Sequence, residues 1–344
     1  MVPVEKASRR ADEPAAAQQV ANRAIVCHVL DGLRGAGIDE LAVVAPLPLA
    51  SEIRRCIDED GCFRSAVTYL SYVGRDDLLG ALAGAQQFVG EDACLVHAAD
   101  GLIGSELGQL GELPDPHPND LLLLLHRTAE EQERLGPVAQ RLLGVSELNA
   151  SKTYLSLVKV CVFGPGALRL AGGRAGTPPA ESDLTAIAGH LADAGGSLHT
   201  RFVRTWRRFG GDPRDLLELN RIVLDQQTLD VDPVDPGDNR IEGRVIIHPT
   251  ADVSSSIILG PTIIGAAARV SNSYIGPYTS IGAGVEIEGT EIERSIIADG
   301  ARIMHVGGRI EASTVGRCAK IFRDFSLPRA TRLHVGDGVE LALN

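Results

Sequence analysis

The sequence predicts a Rossmann-like α/β domain, with a mostly parallel sheet and helices on both faces, followed by a left-handed parallel β-helix. Three observations predict this arrangement. Helical and strand-like segments alternate through the first two thirds of the 344 residues, as in strands joined by crossover helices. A stretch rich in Asp, Pro and Gly then ends the alternation. Beyond it, aliphatic residues recur every five or six positions, which is typical of hexapeptide repeats.

The α/β domain is expected over residues 15–228, after a flexible polar tail at 1–14. Helices are predicted at 15–34, 50–59, 77–88, 181–194 and 213–225. Strands are predicted at 40–44, 65–73, 93–99, 120–126, 153–163 and 198–206. The segments DLLLLLH and TYLSLVKVCVF are nearly continuous apolar runs, so we expect both to lie fully buried in the sheet.

The hexapeptide region is expected to form a β-helix over 240–335, between a linker at 229–239 and a C-terminal tail at 336–344. Small residues between the aliphatic positions suit the tight corners of such a prism. The regular spacing breaks after residue 303 and partly resumes through Ile310, Val315 and Ile321. The residues expected to point inward are Ile247, Val253, Leu259, Ile264, Val270, Ile275, Ile281, Ile287, Ile292, Ile297 and Ile303.

The amino-acid composition disfavours several classes of protein, including membrane proteins, nucleic-acid-binding proteins and disulfide-stabilised proteins. With 44% hydrophobic and 23% charged residues the chain is expected to be soluble and cytoplasmic, without a membrane partner. Its formal charge of −12 disfavours binding to nucleic acid or to anionic lipid. The six cysteines form no C-x-x-C pair, so neither a zinc site nor a disulfide framework is indicated. The flat faces and open end of a β-helix favour a homo-oligomer or assembly with another protein.

Three segments carry a family resemblance: VANRAIVCHVLDGLRGAGIDELAVV at 20–44, PRDLLELNRIVLD at 213–225, and SNSYIGPYTSIGAGVEIEGTEIERSII at 271–297. In this order they resemble the long form of glucose-1-phosphate thymidylyltransferase, and the similarity covers roughly residues 20–335. The resemblance implies a nucleotidyltransferase-like α/β domain. It also implies a reaction in which Mg²⁺ assists the joining of dTTP to glucose 1-phosphate, with release of pyrophosphate.

The resemblance further implies a phosphate-binding loop of the form G-G-x-G-T-R-L-R-P, which this chain lacks. Glycines there let backbone N–H groups approach the phosphates closely. The first glycine in the chain is Gly32. The nearest substitute for the loop is KASRRADEP at 6–14, which makes Arg9 and Arg10 candidates for nucleotide binding.

The family's base-reading stretch Y-x-x-Q-x-x-P-x-G-L-A aligns without gaps to YLSYVGRDDLL at 69–79. Tyr72 replaces the glutamine and Arg75 replaces the proline, and both remain nucleotide-binding candidates. Asp77 stands at the glycine position, where a carboxylate would repel a triphosphate. These replacements weaken the expectation that a nucleotide is bound in the family's manner.

The same register places Asp100 on the first metal-binding aspartate of the family, so Asp100 is the metal candidate. Arg208, in the segment TWRRFGGDP, stands where the second metal aspartate belongs. The lysine that grips the sugar phosphate has no clear counterpart. Lys152 is displaced and Lys159 stands at a glycine position beside the sugar, and both are sugar-phosphate candidates. Mg²⁺ is therefore expected only if the nucleotide site is retained, and otherwise no cofactor is expected.

Simpler interpretations accompany these assignments. Asp100 could instead cap the turn after its strand. His97 is expected to be a packed core histidine rather than a base. Arg207 and Arg208 could form salt bridges or bind an anion, but a solvated surface is the favoured interpretation. Histidines also act as bases in hexapeptide acyltransferases, so His248 and His305 raise that lesser alternative.

Three hypotheses for function remain, and no catalytic residue is assigned. The first is a degenerate, non-catalytic relative of sugar-1-phosphate nucleotidyltransferases that serves as a partner, scaffold or ligand-sensing protein, with a nucleotide or sugar phosphate as its ligand. The second is an active nucleotidyltransferase with an altered site, using Asp100 for Mg²⁺ and Arg9, Arg10 or Arg75 for phosphate. The third is a repurposed enzyme on the same scaffold. We rank the first highest because the losses of several charge-stabilising groups multiply.

Overall fold

The computed structural model contains an α/β domain followed by a β-helix, in the predicted order. No helix in the described part of the chain is long and apolar enough to span a membrane. The residues described are 2–3, 14–63, 67–73, 78–104, 107, 117–129, 134–145, 153–173, 183–227 and 237–323.

The α/β domain alternates strands and helices. Its helices are α1 (Ile25–Gly35), α2 (Leu47–Asp60), α3 (Leu78–Val89), α4 (Pro137–Leu142), α5 (Pro165–Gly172), α6 (Asp183–Asp193) and α7 (Pro213–Gln226). Its strands are β1 (Val2–Pro3), β2 (Gln19–Val20), β3 (Arg23–Ala24), β4 (Leu41–Pro46), β5 (Val67–Tyr72), β6 (Cys94–His97), β7 (Gly101–Ile103), β8 (Leu121–Thr128), β9 (Tyr154–Phe163), β10 (Leu198–Val203) and β11 (Trp206–Arg208). The elements α4, α5, β1, β2, β3 and β7 have no counterpart among the predicted elements, and the strand predicted at 198–206 extends from β10 only to the first residue of β11.

The sheets of the α/β domain combine parallel and antiparallel pairs, so they are mixed rather than mostly parallel as predicted. Strand β4 pairs in parallel with β1 and β5, and β8 pairs in parallel with β10. Strand β9 runs antiparallel to both β6 and β8, and the pairs β2–β3 and β7–β11 are antiparallel as well. The pairing of β1 with β4 also departs from the tail predicted at 1–14, while residues 4–13 lie outside the described part.

Helices cover both faces of these sheets, which confirms the predicted layering. Successive side chains of a strand point to opposite faces, so β4 contributes to two cores. Leu41 and Val43 belong to the core that includes α1, α2 and α7. Val44 belongs to the core that includes α3, α5 and α6.

The predicted helix at 15–34 is wrong in its first half. A short 3₁₀ turn at Ala15–Ala17 leads into the β2–β3 hairpin, and α1 begins only at Ile25. The two hairpin turn residues have positive φ, 46° at Ala21 and 63° at Asn22, as a type I′ turn requires. Alanine resists this conformation, so the sequence signal for the turn is weak. Tertiary hydrogen bonds hold it: the Ala21 N–H donates to Asn220 Oδ1, and Asn22 Nδ2 donates to the Ile281 carbonyl.

The C-terminal domain is a left-handed β-helix of about five turns, which confirms the prediction. Three parallel five-stranded sheets form its sides. The first consists of β12 (Arg240–Glu242), β15 (Ile257–Leu259), β18 (Tyr274–Ile275), β21 (Glu291–Glu293) and β24 (Ile310–Glu311). The second consists of β13 (Val245–Ile247), β16 (Thr262–Ile264), β19 (Thr279–Ile281), β22 (Ile296–Ile297) and β25 (Thr314–Val315). The third consists of β14 (Asp252–Ser254), β17 (Arg269–Ser271), β20 (Glu286–Glu288), β23 (Arg302–Met304) and β26 (Lys320–Phe322).

The core of the β-helix contains the predicted aliphatic residues with one correction. Ile258, rather than Leu259, fills the interior on strand β15. Neighbouring residues of a strand face opposite sides, so a one-residue error in register exchanges an inner residue for an outer one. The resumption of the repeat after the break is confirmed, because Val315 is buried in this core and Ile310 and Ile321 pack against it.

The second sheet of the β-helix packs against the α/β domain. Its outward residues Ile263 and Ile296 contact the core beneath α1 and α7. At the centre of this interface, the fully buried Asn220 of α7 accepts hydrogen bonds from the Ala21 N–H at 2.8 Å and from Ser280 Oγ at 2.6 Å. Its Nδ2 donates to the Tyr278 carbonyl at 3.0 Å. One side chain thus joins the hairpin, α7 and the β-helix.

We expect Asn220→Ala to lower the free energy of unfolding by roughly 2–4 kcal/mol, because it leaves several buried polar groups without partners. Chemical denaturation followed by circular dichroism measures the change. Glu218→Ala, an exposed position on the same helix, is the matched control and is expected to change stability by less than about 0.5 kcal/mol. Equal effects of the two substitutions would contradict the role assigned to Asn220.

Candidate functional site

Asp100 follows the C-terminal end of β6, in the turn that leads into β7. Strand β7 pairs antiparallel with β11, which sets Gly101 opposite Arg208. A side chain at Gly101 would not fit, since its Cβ would lie 2.6 Å from the Arg207 carbonyl oxygen and 2.8 Å from the Trp206 ring. The close approach of these two strands therefore depends on glycine and brings Arg208 to Asp100.

Asp100 is held by two cations. Arg208 Nε donates to Asp100 Oδ2 at 2.6 Å, and Lys159 Nζ lies 3.5 Å from the same oxygen. The Asp100 side chain is only 2% exposed, whereas those of Lys159 and Arg208 are 26% and 40% exposed. Burial raises the pKa of the Asp100 carboxyl above its ordinary value, and the Arg208 guanidinium opposes that shift. A buried carboxylate of this kind requires its cations.

The residues present at this edge do not fit Mg²⁺, the ion that the family resemblance implies. Mg²⁺ in nucleotide sites takes oxygen ligands, commonly one or two carboxylates together with phosphate. Here Asp100 Oδ2 already faces two cations, Lys159 and Arg208, whose positive charge would repel a metal ion at the same carboxylate. Within the described ranges, no three His, Cys, Asp or Glu side chains lie together in a way that could hold a metal ion.

The other predicted site residues divide into two groups. Lys159, on β9, lies beside Asp100, since its carbonyl accepts from the Ala98 N–H at the end of β6. Tyr72 is the last residue of β5, in the sheet formed by β1, β4 and β5, where it is buried and packs against α3 at Gly84. The remaining candidates lie outside the described residues: Arg9, Arg10, Arg75 and Lys152.

Arg207 and Arg208 are partly exposed, and each forms an ion pair, which is the alternative to a purely solvated position. The two side chains follow one another along β11 and form different ion pairs. Arg208 reaches Asp100, and Arg207 Nη2 donates to Asp215 Oδ1 at 2.7 Å. Asp212, near the expected metal position, instead caps α7 by accepting from the Arg214 N–H at 2.9 Å. The pairing of Arg208 with Asp100 joins residues 108 positions apart, which sequence spacing alone could not indicate.

The histidines behave as structural residues. His97 is 1% exposed, as predicted, and its Nδ1 lies 2.6 Å from the Ala98 carbonyl. Burial lowers the pKa of His97 to about 4. In the β-helix, His248 contacts the nearby Thr250 hydroxyl, and His305 occupies a corner with a φ of 53°. The His305 Nε2 atom also lies 3.7 Å from Glu288 Oε1.

A cleft of about 460 Å³ is lined by residues of α1, β7, the end of α7 and the β-helix, and Asp100 is not part of its lining. Its walls are largely apolar and include Val29, Ile103, Val223 and Ile263. Neither Lys159 nor Arg208 lines it. Of the residues singled out from the sequence, His97 contributes to its lining.

We expect the Asp100–Arg208 pair to show energetic coupling in a double-mutant cycle. Arg208→Ala should cost about 2 kcal/mol of unfolding free energy, because it removes one partner of a buried charge while Lys159 remains. In an Asp100→Asn background that cost should shrink by roughly 1–2 kcal/mol. Denaturant titrations of the four proteins measure the cycle. Arg207→Ala is the matched control and should be additive with Asp100→Asn; additivity for Arg208→Ala as well would contradict the pairing.

We expect stability to fall as the pH drops from about 6.5 to about 4, in part through His97. The folded pKa of about 4 lies below the ordinary value of 6.5, so the unfolded chain binds the proton more readily in this window. The contribution of His97 is roughly 3 kcal/mol when the window has been crossed. Melting temperatures measured from pH 7.5 to pH 4 test this. His97→Asn keeps a donor for Ala98 but cannot be protonated, so its pH dependence should be shallower; an unchanged slope would contradict the assignment.

The similarity to known proteins extends over both domains. No family model matches the chain. It is 30% identical over 325 residues to a glucose-1-phosphate thymidylyltransferase of Streptomyces griseus, covering 92% of this chain and 90% of that protein. It is 28% identical over 323 residues to a glucose-1-phosphate thymidylyltransferase of Streptomyces antibioticus, with coverage of 92% and 90%. It is also 27% identical over 334 residues to the low-salt glycan biosynthesis nucleotidyltransferase Agl11 of Haloferax volcanii, with coverage of 94% and 92%. The chain therefore belongs to the glucose-1-phosphate thymidylyltransferase family of sugar-1-phosphate nucleotidyltransferases.

Proposed function

We propose that this chain is a degenerate, non-catalytic member of its family that acts as a partner, scaffold or ligand-sensing protein. The observation that carries the proposal is the 2.6 Å contact between Arg208 Nε and Asp100 Oδ2. The family resemblance implies two carboxylates at this place to hold Mg²⁺. In this chain one of the two positions carries a cation that neutralises the other.

The presence of Arg208 in place of a carboxylate affects the charge arrangement on which the rate of nucleotidyl transfer depends most. Transfer of a nucleotidyl group depends on positive charge placed against the phosphates and on in-line positioning of the sugar phosphate. Loss of a single charge-stabilising group costs on the order of 10²-fold in rate, and groups that act together do not compensate for one another. Two further departures from the family pattern are visible in the sequence: the glycines of the phosphate-binding loop are absent from the segment at 6–14, and residues of the base-reading stretch are replaced. Together these changes support a protein that has lost catalytic activity.

The second candidate is an active nucleotidyltransferase with an altered site, converting a nucleoside triphosphate and a sugar 1-phosphate to a nucleotide sugar and pyrophosphate. What favours it is the breadth of the match, since the relatives named as transferases align over nine tenths of their length. In this candidate Lys159 and Arg208 would contact phosphate, together with the sequence candidates Arg9, Arg10, Arg75 and Lys152.

The proposed setting is the cytoplasm, with a homo-oligomer or a complex with another protein as the working form. The second sheet of the β-helix already packs on the α/β domain, which leaves its other sides for further contacts. Two large apolar side chains support this, since Ile257 on the first sheet is 39% exposed and Phe322 on the third is 64% exposed. Nucleic acid is not proposed as a partner of this acidic chain.

We expect no pyrophosphate release by the purified protein with Mg²⁺, across the common nucleoside triphosphates and sugar 1-phosphates. A coupled phosphate assay measures release, with an active thymidylyltransferase as the positive control. The matched variant is Asp100→Asn, whose signal should equal that of the natural chain. Turnover in the natural chain that disappears in Asp100→Asn would overturn the proposal and favour the second candidate.

A further inference from the structure

Resting on the proposed function, we infer that Arg208 takes the place of a divalent cation at the Asp100 edge, so that a phosphate-bearing ligand bound there is held without Mg²⁺. Such a metal ion would give Asp100 a positive neighbour and give a phosphate a positive contact. The Arg208 guanidinium already provides the first of these at 2.6 Å. It belongs permanently to the chain, so no free ion is needed.

The placement of the cluster favours a ligand. Asp100 lies just after the C-terminal end of β6, and ligands of open α/β sheets bind outside the carboxyl ends of their strands. The buried carboxylate fixes two partly exposed cations beside each other, Lys159 at 26% and Arg208 at 40% exposure. Local positive charge of this kind attracts an anion.

The chemistry of the two cations suits phosphate. A guanidinium is always charged and has five N–H donors in a planar fork, so one arginine can donate to a carboxylate and to phosphate oxygens together. A lysine ammonium adds a compact point charge. The ligand class is therefore a phosphate ester or diphosphate, which a sugar phosphate and a nucleotide both supply.

Electron paramagnetic resonance of Mn²⁺, used as a probe for a divalent cation, measures whether a metal ion binds beside Asp100. Arg208→Asp restores a second carboxylate opposite Asp100, and we expect it to bind Mn²⁺ at least tenfold more tightly than the natural chain. Adding Asp100→Asn should remove the gain. Arg214→Asp, an exposed position with the same change in charge, is the control and should gain nothing. Mn²⁺ binding by the natural chain that Asp100→Asn abolishes would overturn the inference, as would no gain in a folded Arg208→Asp protein.

Binding of a phosphate-bearing ligand is measured on the natural chain. Thermal shifts with glucose 1-phosphate, dTDP and inorganic phosphate are compared in EDTA and in Mg²⁺. We expect at least one of these probes to raise the melting temperature equally in both conditions, and the shift to be lost in Arg208→Gln. The probe that acts distinguishes a sugar phosphate from a nucleotide or the bare anion. A shift that requires Mg²⁺, that survives Arg208→Gln, or that no probe produces would overturn the inference.

Failure of this inference and failure of the proposed function give different results. Pyrophosphate release that depends on Asp100 contradicts the non-catalytic proposal, whatever the binding data show. Ligand binding that requires Mg²⁺, or no ligand binding at all, contradicts the inference and leaves a non-catalytic scaffold standing.

Discussion

The burial of Asp100 is the constraint on which the arrangement of this edge depends. A carboxylate that is almost removed from water must be compensated by positive charge, and its ionisation is already penalised by burial. Its two cations come from different strands, Lys159 from β9 and Arg208 from β11. The second of these reaches it because β7 and β11 approach closely over Gly101. A single buried charge therefore ties together three strands of the α/β domain.

The two domains are joined by a second buried polar group. Asn220 has no exposed surface, and its amide satisfies groups from the hairpin and from the β-helix at once. Arg244 of the β-helix strengthens the same junction by donating to the Asp225 and Gln227 carbonyls at the end of α7. Polar networks of this kind fix geometry more sharply than apolar contacts, because each hydrogen bond has a direction. The β-helix is thus positioned specifically against α7.

The residues that stabilise the fold differ from those that would carry out the family's reaction. Membership of the family is expressed in the cores, the order of elements and the β-helix, all of which concern stability. Chemistry resides in a few side chains at strand ends, and these can change while the fold persists. Arg208 places a positive charge against Asp100 from strand β11, which is regularly paired with β7 at this point. A protein can therefore keep this architecture and use it for binding or assembly.

The sequence by itself determined the domain order, the layered α/β arrangement and the core of the β-helix. These follow from periodic burial, which repeats along the chain and is legible without knowledge of distant partners. Only the tertiary structure decided the hairpin at Ala21 and Asn22 and the pairing of Arg208 with Asp100. Ala21 has little intrinsic preference for its left-handed conformation and is supported by Asn220, 199 residues away. Arg208 likewise finds Asp100 across 108 residues, because a buried charge selects whichever cation the fold brings within reach.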